Sequence, residues 1–225
     1  WKGLAISRWR EDATLDSWGS FIYLRDIRTG SVWSATHNPI GEKGETYEAA
    51  FAEDRASFKR TNGSLVTQTE ICISAEEDAE VRRVSITNTG SRLREIEVTS
   101  YIELALARPM DDAAHPAFSK MFVETAYMRA TGALLAGRRP RPASETPVWA
   151  AHVTVVEGEP DRDIQYETDR GKFRGRNRNT GNAQAIFEGW PLSNTVGAVL
   201  DPVFSLRRRV QIPRGKTVTV AISSM

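Results

Sequence analysis

The sequence has few of the residues from which metal and redox sites are built. It contains one cysteine, Cys72, and three histidines, His37, His115 and His152, which lie far apart along the chain. A single cysteine excludes a disulfide within the chain and fits a reducing compartment. The histidines form no i, i+4 pair and have no cysteine partner nearby, so the pattern predicts no metal site. The sequence also has no glycine-rich strand-to-helix turn and no Gly-x-Ser-x-Gly motif, and we expect no cofactor.

An excess of charge of one sign and long apolar segments are also absent from the sequence. Thirty Lys and Arg residues face 29 Asp and Glu residues, and the resulting net charge of +1 argues against nucleic acid as a partner. No apolar run approaches the roughly 20 residues that cross a bilayer, and no signal peptide is visible, so we expect a chain that is soluble as it stands. Because strand-like sequence starts at Trp1 and continues to Met225, we expect residues 1–225 to be a single domain taken from a longer polypeptide.

Period-two alternation, which is typical of strands, dominates what the sequence does contain. In EIEVTSYIELAL, one face would carry Ile96, Val98, Ile102, Leu104 and Leu106, with Ser100 as the only polar interruption. The other face would carry Glu95, Glu97, Thr99, Tyr101 and Glu103. This pattern predicts a long half-buried strand. In VWAAHVTVV, the same alternation places His152 on the polar face and groups Trp149, Ala151, Val153 and Val155 toward the core.

Turn sequences separate the alternating segments. Hairpins are predicted at Asn62-Gly63, Thr29-Gly30, Asn88-Thr89-Gly90 and Pro213-Arg214-Gly215. At Asn62-Gly63 we expect a type I′ turn with positive φ at both residues. The stretches 107–118, 138–147 and 169–182 are rich in Pro, Gly, Asn or Arg and predict long loops. Since no segment keeps a helical period, we expect an all-β fold, an antiparallel two-sheet sandwich rather than a small barrel.

Charged residues in two of the predicted loops are candidates for binding. Asp111, Asp112 and His115 could hold sugar hydroxyls, a metal or a partner domain, and the alternative is a solvent-exposed loop with turn-forming aspartates. Arg174 and Arg176 could grip a phosphate or an acidic partner, and the alternative is a solvated basic loop.

Tryptophans are the second group of candidates. The opening segment, residues 8–39, contains Trp9, Trp18 and Trp33, and Trp190 lies in the C-terminal part of the chain. Solvent-facing indole rings would form a platform for sugar rings, whereas inward-facing rings would belong to the core. The pattern leaves both alternatives open. For His152 we expect a place on the surface or at an interface rather than an acid/base role.

Several segments, taken in order, resemble one enzyme family. RWREDATLDSWGSFIYLRDIRTGSVWSATHNP, DAAHPAFSKMFVET, YETDRGKFRGR and LSNTVGAVLDPVFSLRRRVQIPRG are similar to the N-terminal β-sandwich of glycoside hydrolase family 94, formerly glycosyltransferase family 36. That family includes cellobiose and chitobiose phosphorylases. The last segments most resemble the phosphorylase-like region of cyclic β-1,2-glucan synthases, and the similarity extends over essentially the whole chain.

The resemblance implies a galactose-mutarotase-like super-sandwich and a partner domain that this sequence does not contain. In the family, the general acid and the sugar subsites belong to an (α/α)6 barrel, so the resemblance implies no catalytic residue in this chain. The longer enzyme would be a glycosyltransferase or glycoside phosphorylase that acts on β-glucans. The glucan synthases are bacterial inner-membrane enzymes, and the resemblance places this part of them on the cytoplasmic side.

The same resemblance suggests which residues meet the partner. We expect the barrel or a carbohydrate to contact Asp111, Asp112, His115 and Phe118, and we expect a homo-oligomer through the exposed barrel-docking face. Three functions remain open. The first is a non-catalytic domain that supports the barrel and contacts β-glucan, and the second is an autonomous carbohydrate-binding module built on Trp18, Trp33 or Trp190. The third is a sugar epimerase, but the His acid and Glu base of such enzymes have no matching segment here.

Overall fold

The chain forms two antiparallel β-sheets that pack face to face, as seen in a computed structural model that describes residues 2–12, 14, 16–140, 146–158 and 164–225. The predicted all-β, two-sheet fold is therefore confirmed. Part of the predicted loop 138–147 and two residues of the opening segment lie outside the described residues.

The larger sheet has nine strands in the part of the chain that the structure describes. In spatial order, with numbers that follow the chain, they are β13 (Gly197–Ala198), β9 (Val123–Met128), β10 (Ala133–Arg138), β11 (Val148–Val156), β15 (Thr217–Ser224), β7 (Glu80–Asn88), β6 (Leu65–Ile73), β5 (Ala56–Asn62) and β4 (Thr46–Phe51). The strand β4 therefore ends the sheet on one side.

The smaller sheet has six strands among the described residues. In spatial order they are β12 (Gln165–Asp169), β14 (Pro202–Ile212), β8 (Arg94–Ala107), β2 (Ser20–Asp26) and β3 (Val32–Ser34), and β1 (Ala5–Ser7) pairs separately with β8. The central strand β8 is the long strand that its alternation predicts. It is not half-buried, because every residue from Ile96 to Ala107 is buried.

Short helices cover the outer face of β8 and explain that burial. They are α1 (Pro109–Ala114), α2 (Pro116–Lys120), α3 (Arg170–Arg174), a 3-10 turn (Thr180–Asn182) and α4 (Gln184–Phe187). The stretches 107–118 and 169–182 are therefore partly helical, and their prediction as loops was wrong. Pro109 and Pro116 stand in the first helical turn, where the missing N–H is not needed, and the side chain of Asp169 caps α3 by accepting bonds from two backbone N–H groups. None of the helices in the described part of the chain is both long and apolar enough to cross a membrane.

The four predicted turns have two different outcomes. Thr29-Gly30 and Asn62-Gly63 join neighbouring strands, so these hairpins are confirmed. In the second hairpin Asn62 still pairs with Leu65, and only Gly63 takes a positive φ, of 56°, so the expected type I′ turn was wrong. The turns at 88–90 and 213–215 instead connect strands of different sheets, because β7 and β15 belong to the larger sheet and β8 and β14 to the smaller one. These local signals predict a change of direction but do not specify the next strand's partner.

Two apolar layers lie on the two faces of the smaller sheet. Between the sheets, Leu24 and Val98 pack with Ile86 of the larger sheet. On the outer face, Tyr101 packs with Phe173 of α3 and Ile186 of α4. Full burial of one such side chain contributes roughly 1.5–3 kcal/mol, so apolar contacts hold both α3, which also has the cap of Asp169, and α4, which has no side-chain cap.

Strand β11 faces the opposite way from its prediction. His152 is fully buried between the sheets, and Trp149 is 68% exposed on the outer face. The imidazole nitrogens are satisfied inside the core, since Nε2 lies 2.7 Å from Oγ of Ser100 and Nδ1 lies 2.9 Å from Oγ of Ser224. The indole of Trp149 lies over Gly137 of β10, where a Cβ atom would come within 2.8 Å of the ring. Hydrogen-bond partners on other strands thus allow the polar face of β11 to turn inward.

Candidate functional site

An open groove of about 310 Å³ lies beside α3 and α4, on the outer side of the smaller sheet. The residues that line it are Glu167, Gly171, Lys172, Gly175, Arg176, Gln184, Ala185, Trp190, Pro191, Leu192 and Ser193. The groove thus brings together two of the sequence candidates, Arg176 and Trp190. The other lining residues were not singled out in the sequence, where they have no motif of their own.

A buried arginine of β14 positions one wall of the groove. Arg207 donates from Nη1 to the carbonyl of Trp190 at 2.8 Å and from Nη2 to the carbonyl of Ala185 at 2.6 Å. Its Nε donates to Oγ1 of Thr99 on β8 at 3.0 Å. Burial lowers the pKa of Arg207 to about 10, so the guanidinium stays charged at neutral pH. Charge-assisted bonds of this kind are stronger than neutral ones, and they tie the backbone at Trp190 to the rigid sheet.

Close approach of α3 to α4 forms the other wall and requires glycine at position 175. Gly175 has a φ of 81°, and a Cβ atom there would lie 2.2 Å from Oε1 of Gln184. A larger residue would have to adopt a left-handed backbone and displace Gln184. Gly175 follows α3 directly, so the end of this helix is set by the packing of the groove.

The carboxylate of Glu167 lies at the base of the groove and is used as an acceptor. Its Oε1 accepts the backbone N–H groups of Thr168 and Asp169, each at 3.0 Å. Its Oε2 accepts the hydroxyl of Ser193 at 2.5 Å and the backbone N–H of the same residue at 3.3 Å. Donors that converge on both oxygens tie Glu167 to the backbone of its own strand and to Ser193, so this carboxylate holds the segment at Ser193 in place.

Three exposed side chains line the walls of the groove. Trp190 is 58% exposed, Arg176 is exposed, and Lys172 is exposed with its Nζ donating to Oγ1 of Thr195 at 2.6 Å. An apolar ring beside cationic donors and an amide suits a ligand that has both C–H faces and oxygen atoms.

A buried set of charges connects α3 to α1 and α2. We call Arg8, Glu103, Asp112, Lys120, Arg170 and Asp201 the ion-pair network; it contains three cations and three anions. Arg8 donates to both carboxylate oxygens of Asp112, from Nε at 2.7 Å, and Arg170 donates to Asp201 at 2.8 Å. Lys120 of α2 pairs with the same Asp201. Each of α1 and α2 therefore inserts one charged side chain into a neutral cluster that is buried at Arg8, Glu103 and Asp112 and partly exposed at Asp201.

Above the network, α1 and α2 present an exposed apolar surface. We call Met110, His115, Phe118 and Met121 the helical patch. Met110 is 83% exposed, Met121 is 62% exposed and Phe118 is 50% exposed, while His115 joins the two helices on the solvent side. The ring of Phe118 packs against that of Phe122, with centroids 5.1 Å apart. Large apolar side chains held on a rigid base are typical of a contact surface.

The remaining sequence candidates are not at either place. Trp33 is only 3% exposed in the core between the sheets, so its proposed role as a sugar platform was wrong. Trp18 is half-buried, and the guanidinium of Arg10 lies 5.4 Å from its ring. Arg174 is turned to the carbonyl of Arg178, at 2.7 Å from Nη2, and does not line the groove. His152 was placed on the surface by its pattern and is instead buried in the core.

The neighbouring aspartates Asp111 and Asp112 have different environments. Asp111 is exposed on α1, whereas Asp112 is 6% exposed and paired with Arg8. The partner of Asp112 is Arg8, 104 positions earlier in the chain, and no local pattern connects the two residues. Among the described residues, no group of three or more His, Cys, Asp or Glu side chains is placed to hold a metal ion.

Comparison with known proteins gives a consistent result. A sequence model described as glycosyl hydrolase 94, supersandwich domain, matches residues 1–225. The chain is 42% identical over 220 residues to the cyclic beta-(1,2)-glucan synthase NdvB of Rhizobium meliloti (strain 1021), a match that covers 98% of this chain and 8% of NdvB.

Two phosphorylases are more distant relatives. The chain is 23% identical over 226 residues to the N,N'-diacetylchitobiose phosphorylase of Vibrio proteolyticus, covering 96% of this chain and 26% of that enzyme. It is 24% identical over 200 residues to the solabiose phosphorylase of Paenibacillus borealis, covering 88% of this chain and 25% of that enzyme. The chain thus spans only a small part of the length of each relative.

Proposed function

The chain belongs to the glycosyl hydrolase 94 supersandwich domain family, and on this premise we propose that it is the non-catalytic β-sandwich of a longer carbohydrate-active enzyme. In this role it supports an (α/α)6 catalytic barrel and contacts a β-glucan chain. Phosphorolysis or transglycosylation of the glucan takes place on the barrel. The glucan synthase relative supports a further part of the proposal, that the longer polypeptide is an inner-membrane enzyme with this domain on the cytoplasmic side.

The chemistry of the groove supports a binding role over a catalytic one. Cleavage or phosphorolysis of a glycosidic bond needs a carboxylic acid that protonates the leaving oxygen. Glu167 is the one carboxylate among the described residues that line the groove, and four donor contacts hold it as an acceptor. An epimerase would need an accessible His and Glu pair in its site. His152 is enclosed in the core, and the exposed His37 and His115 do not line the groove.

The observation that carries the proposal is the helical patch on its buried ion-pair network. Short helices are marginal by themselves, and here buried ion pairs fix two of them so that Met110, Phe118 and Met121 remain exposed. Apolar side chains on such a rigid base are suited to packing against another domain, where they become desolvated anchors.

Replacing Phe118 with aspartate tests this contact. We expect the longer enzyme to lose activity by about tenfold or more, because a charge in a desolvated contact opposes packing. The melting temperature of the 225-residue chain should stay the same, since Phe118 is half exposed. His115→Ala should act in the same direction with a smaller effect. Activity and thermal melting are measured on the same variants.

The matched control is Leu93→Asp, which places the same charge at another apolar residue, 52% exposed, between β7 and β8. We expect it to change neither activity nor melting temperature. Full activity of the Phe118→Asp enzyme would remove the helical patch from the proposal.

Saccharide binding in the groove is the second part of the proposal. The exposed indole of Trp190 offers an apolar face, and Arg176 and Lys172, which line the same groove, carry N–H donors for sugar oxygens. The groove is open rather than enclosed, which suits one segment of a chain rather than a complete small molecule. As an autonomous module, the domain would bind glucan without the barrel.

We expect the 225-residue chain to bind linear β-1,2-gluco-oligosaccharides with a Kd near the millimolar range and Trp190→Ala to weaken binding by about tenfold, or 1.4 kcal/mol. Isothermal titration of both proteins measures the difference. Trp9→Ala is the control, because Trp9 is 67% exposed but lies outside the groove. Absence of heat with the unmodified chain at millimolar ligand, or equal affinity of all three proteins, would exclude the groove as a saccharide site.

A further inference from the structure

The segment 169–178, which contains α3 and borders the groove, concentrates positive charge in a chain whose net charge is only +1. Five of its residues are cationic and one, Asp169, is anionic. We infer that the groove selects an acidic saccharide, one that carries a carboxylate or a phosphate ester, over a neutral one. This inference rests on the saccharide binding proposed for the groove and adds the chemical class of the saccharide.

Two of the five cations are already neutralised by carboxylates. Arg170 donates to Asp201 at 2.8 Å, and Arg178 pairs with Glu188. Arg174 is different, because its Nε and Nη2 donate to the carbonyl of Arg178, at 3.1 Å and 2.7 Å, and this acceptor is neutral. Arg174 thus keeps its positive charge with no carboxylate paired to it in the described part of the chain.

The other two cations line the groove itself. The Nζ atom of Lys172 donates to a neutral hydroxyl, Oγ1 of Thr195, at 2.6 Å. Arg176 is exposed, and no group within the described residues bonds to its guanidinium. Glu167, the one carboxylate of the described lining, is 1% exposed and already accepts four bonds. The exposed charge of the groove is therefore positive.

A further positive charge lies behind the wall that carries Trp190. The three acceptors of Arg207 are one hydroxyl and two carbonyl groups, all of them neutral. Glu97, the carboxylate whose charge acts on Arg207, already pairs with Arg25 and Arg209. Because buried charges are screened less by salt than exposed ones, this surplus adds to the positive potential at the groove.

The side chains at the groove also indicate the kind of anion. The planar guanidinium of Arg176 matches the paired oxygens of a carboxylate or a phosphate, to which an arginine can donate two parallel bonds. The indole of Trp190, 58% exposed in the same groove, offers an apolar face that matches the C–H face of a sugar ring. A sugar ring with an acidic group uses both side chains, whereas an inorganic anion uses the cations alone.

Isothermal titration of the 225-residue chain tests the inference with two matched ligands. They are linear β-1,2-gluco-oligosaccharides and the same oligosaccharides after oxidation of C6 hydroxyls to carboxylates. At an ionic strength of about 0.01 M we expect the oxidised ligand to bind at least about tenfold more tightly, since charge-assisted hydrogen bonds are stronger than neutral ones. The preference should shrink several-fold at about 1 M, where the Debye length has fallen from about 30 Å to about 3 Å.

A second pair of ligands separates the two kinds of acidic group. Glucose 6-phosphate carries a phosphate ester on a sugar ring, and inorganic phosphate has the same anion without the ring. We expect an acidic saccharide to bind at least about tenfold more tightly than inorganic phosphate, because stacking on Trp190 contributes as well. Binding of glucose 6-phosphate would identify phosphate esters as the acidic group, and binding of the oxidised oligosaccharide would identify uronates.

Arg176→Gln tests the role of the cation. Glutamine keeps an N–H donor for hydroxyl groups but removes the charge, so the preference for the oxidised ligand should fall by at least about fivefold. Arg214→Gln is the matched control, because it makes the same substitution at an exposed arginine in the turn between β14 and β15, outside the groove. We expect this control to keep the full preference.

The outcomes separate this inference from the proposed saccharide binding. Equal affinity for the two oligosaccharides, with both weakened by Trp190→Ala, would overturn the acidic preference and leave saccharide binding in the groove intact. Absence of heat with both ligands would remove the saccharide site altogether. A hexaglutamate peptide that binds as tightly as the oxidised oligosaccharide would assign the groove to an acidic protein segment and would also overturn the inference.

Discussion

Replacing Asp112 with alanine is expected to destabilise the fold by about 3 kcal/mol, whereas the same change at Asp111 should alter stability by less than about 0.5 kcal/mol. The two residues are neighbours on one short helix and carry the same side chain. They differ in that Asp112 is 6% exposed and bonded to Arg8, while Asp111 is exposed. Any effect of helix propensity on stability is therefore the same for both variants. The difference between their free energies of unfolding measures the contribution of the ion pair.

The physical reason is the charge that remains when Asp112 is removed. Arg8 is 3% exposed, and burial alone would lower its pKa, but the bond to Asp112 and the charges of Asp112 and Glu103 outweigh burial and raise it. Removing one partner of a buried pair typically costs 3–5 kcal/mol. Glu103 stays 3.6 Å from Arg8, so the lower end of this range is expected.

Urea unfolding of the 225-residue chain measures both variants. The double variant Arg8→Met with Asp112→Leu provides a further control, because an apolar pair of similar volume often replaces a buried ion pair without loss of stability. We expect it to be more stable than Asp112→Ala alone. Equal stabilities of Asp111→Ala and Asp112→Ala would show that the network does not hold α1 in place.

Alternation predicted strands well where one face meets the inter-sheet core, and it failed where the outer face is covered by another part of the chain. In β8 the positions of Val98 and Leu104 follow the pattern. The burial of Glu97 and Glu103 does not, because it depends on Arg209 and Arg170 from strands and helices more than 60 residues away. In sequence, a carboxylate that faces water and one that faces a distant arginine look the same.

The two faces of β11 show a second limit. One face carries Trp149 and Val155, the other Ala150 and Val156, so both contain apolar residues and hydrophobicity alone does not choose between them. The choice depends on Ser100 and Ser224, which satisfy His152 in the core. The groove also depends on contacts between distant residues. Trp190 was a sequence candidate, but its position in the groove with Arg176 depends on the bond from Arg207 to the carbonyl of Trp190, which has no local signature in the sequence.

The buried imidazole leads to the second large effect. It makes the fold less stable in acid, and His152→Gln should remove the part of this loss that is due to the imidazole. Burial, followed by the nearby positive charge of Arg82, lowers the pKa of His152 from 6.5 to about 3. In the folded chain the ring is therefore neutral, stacked on Phe204 at 5.6 Å between centroids. Between these two pH values the unfolded chain binds a proton that the folded chain does not.

The direction of the pH dependence follows from proton linkage, since stability rises with pH wherever the unfolded state binds more protons than the folded state. Well above pH 6.5 the ring is neutral in both states and its protonation does not affect stability, and as the pH falls from 6.5 toward 3 the proton bound by the unfolded chain increasingly lowers the stability of the fold. The slope is at most about 1.4 kcal/mol per pH unit, so from pH 7 to pH 5 the unmodified chain should lose roughly 2 kcal/mol relative to His152→Gln.

Urea unfolding at several pH values measures this difference. Carboxylates with lowered pKa, such as Asp201, also reduce stability in acid, but they are present in both proteins and cancel in the comparison. His115→Gln is the matched control, because it makes the same substitution at a histidine that is exposed rather than buried. Parallel plots of unfolding free energy against pH for the unmodified chain and His152→Gln would mean that the imidazole binds a proton in the folded state as readily as in the unfolded state. In that case the two serines, and not exclusion of charge, would account for its position between the sheets.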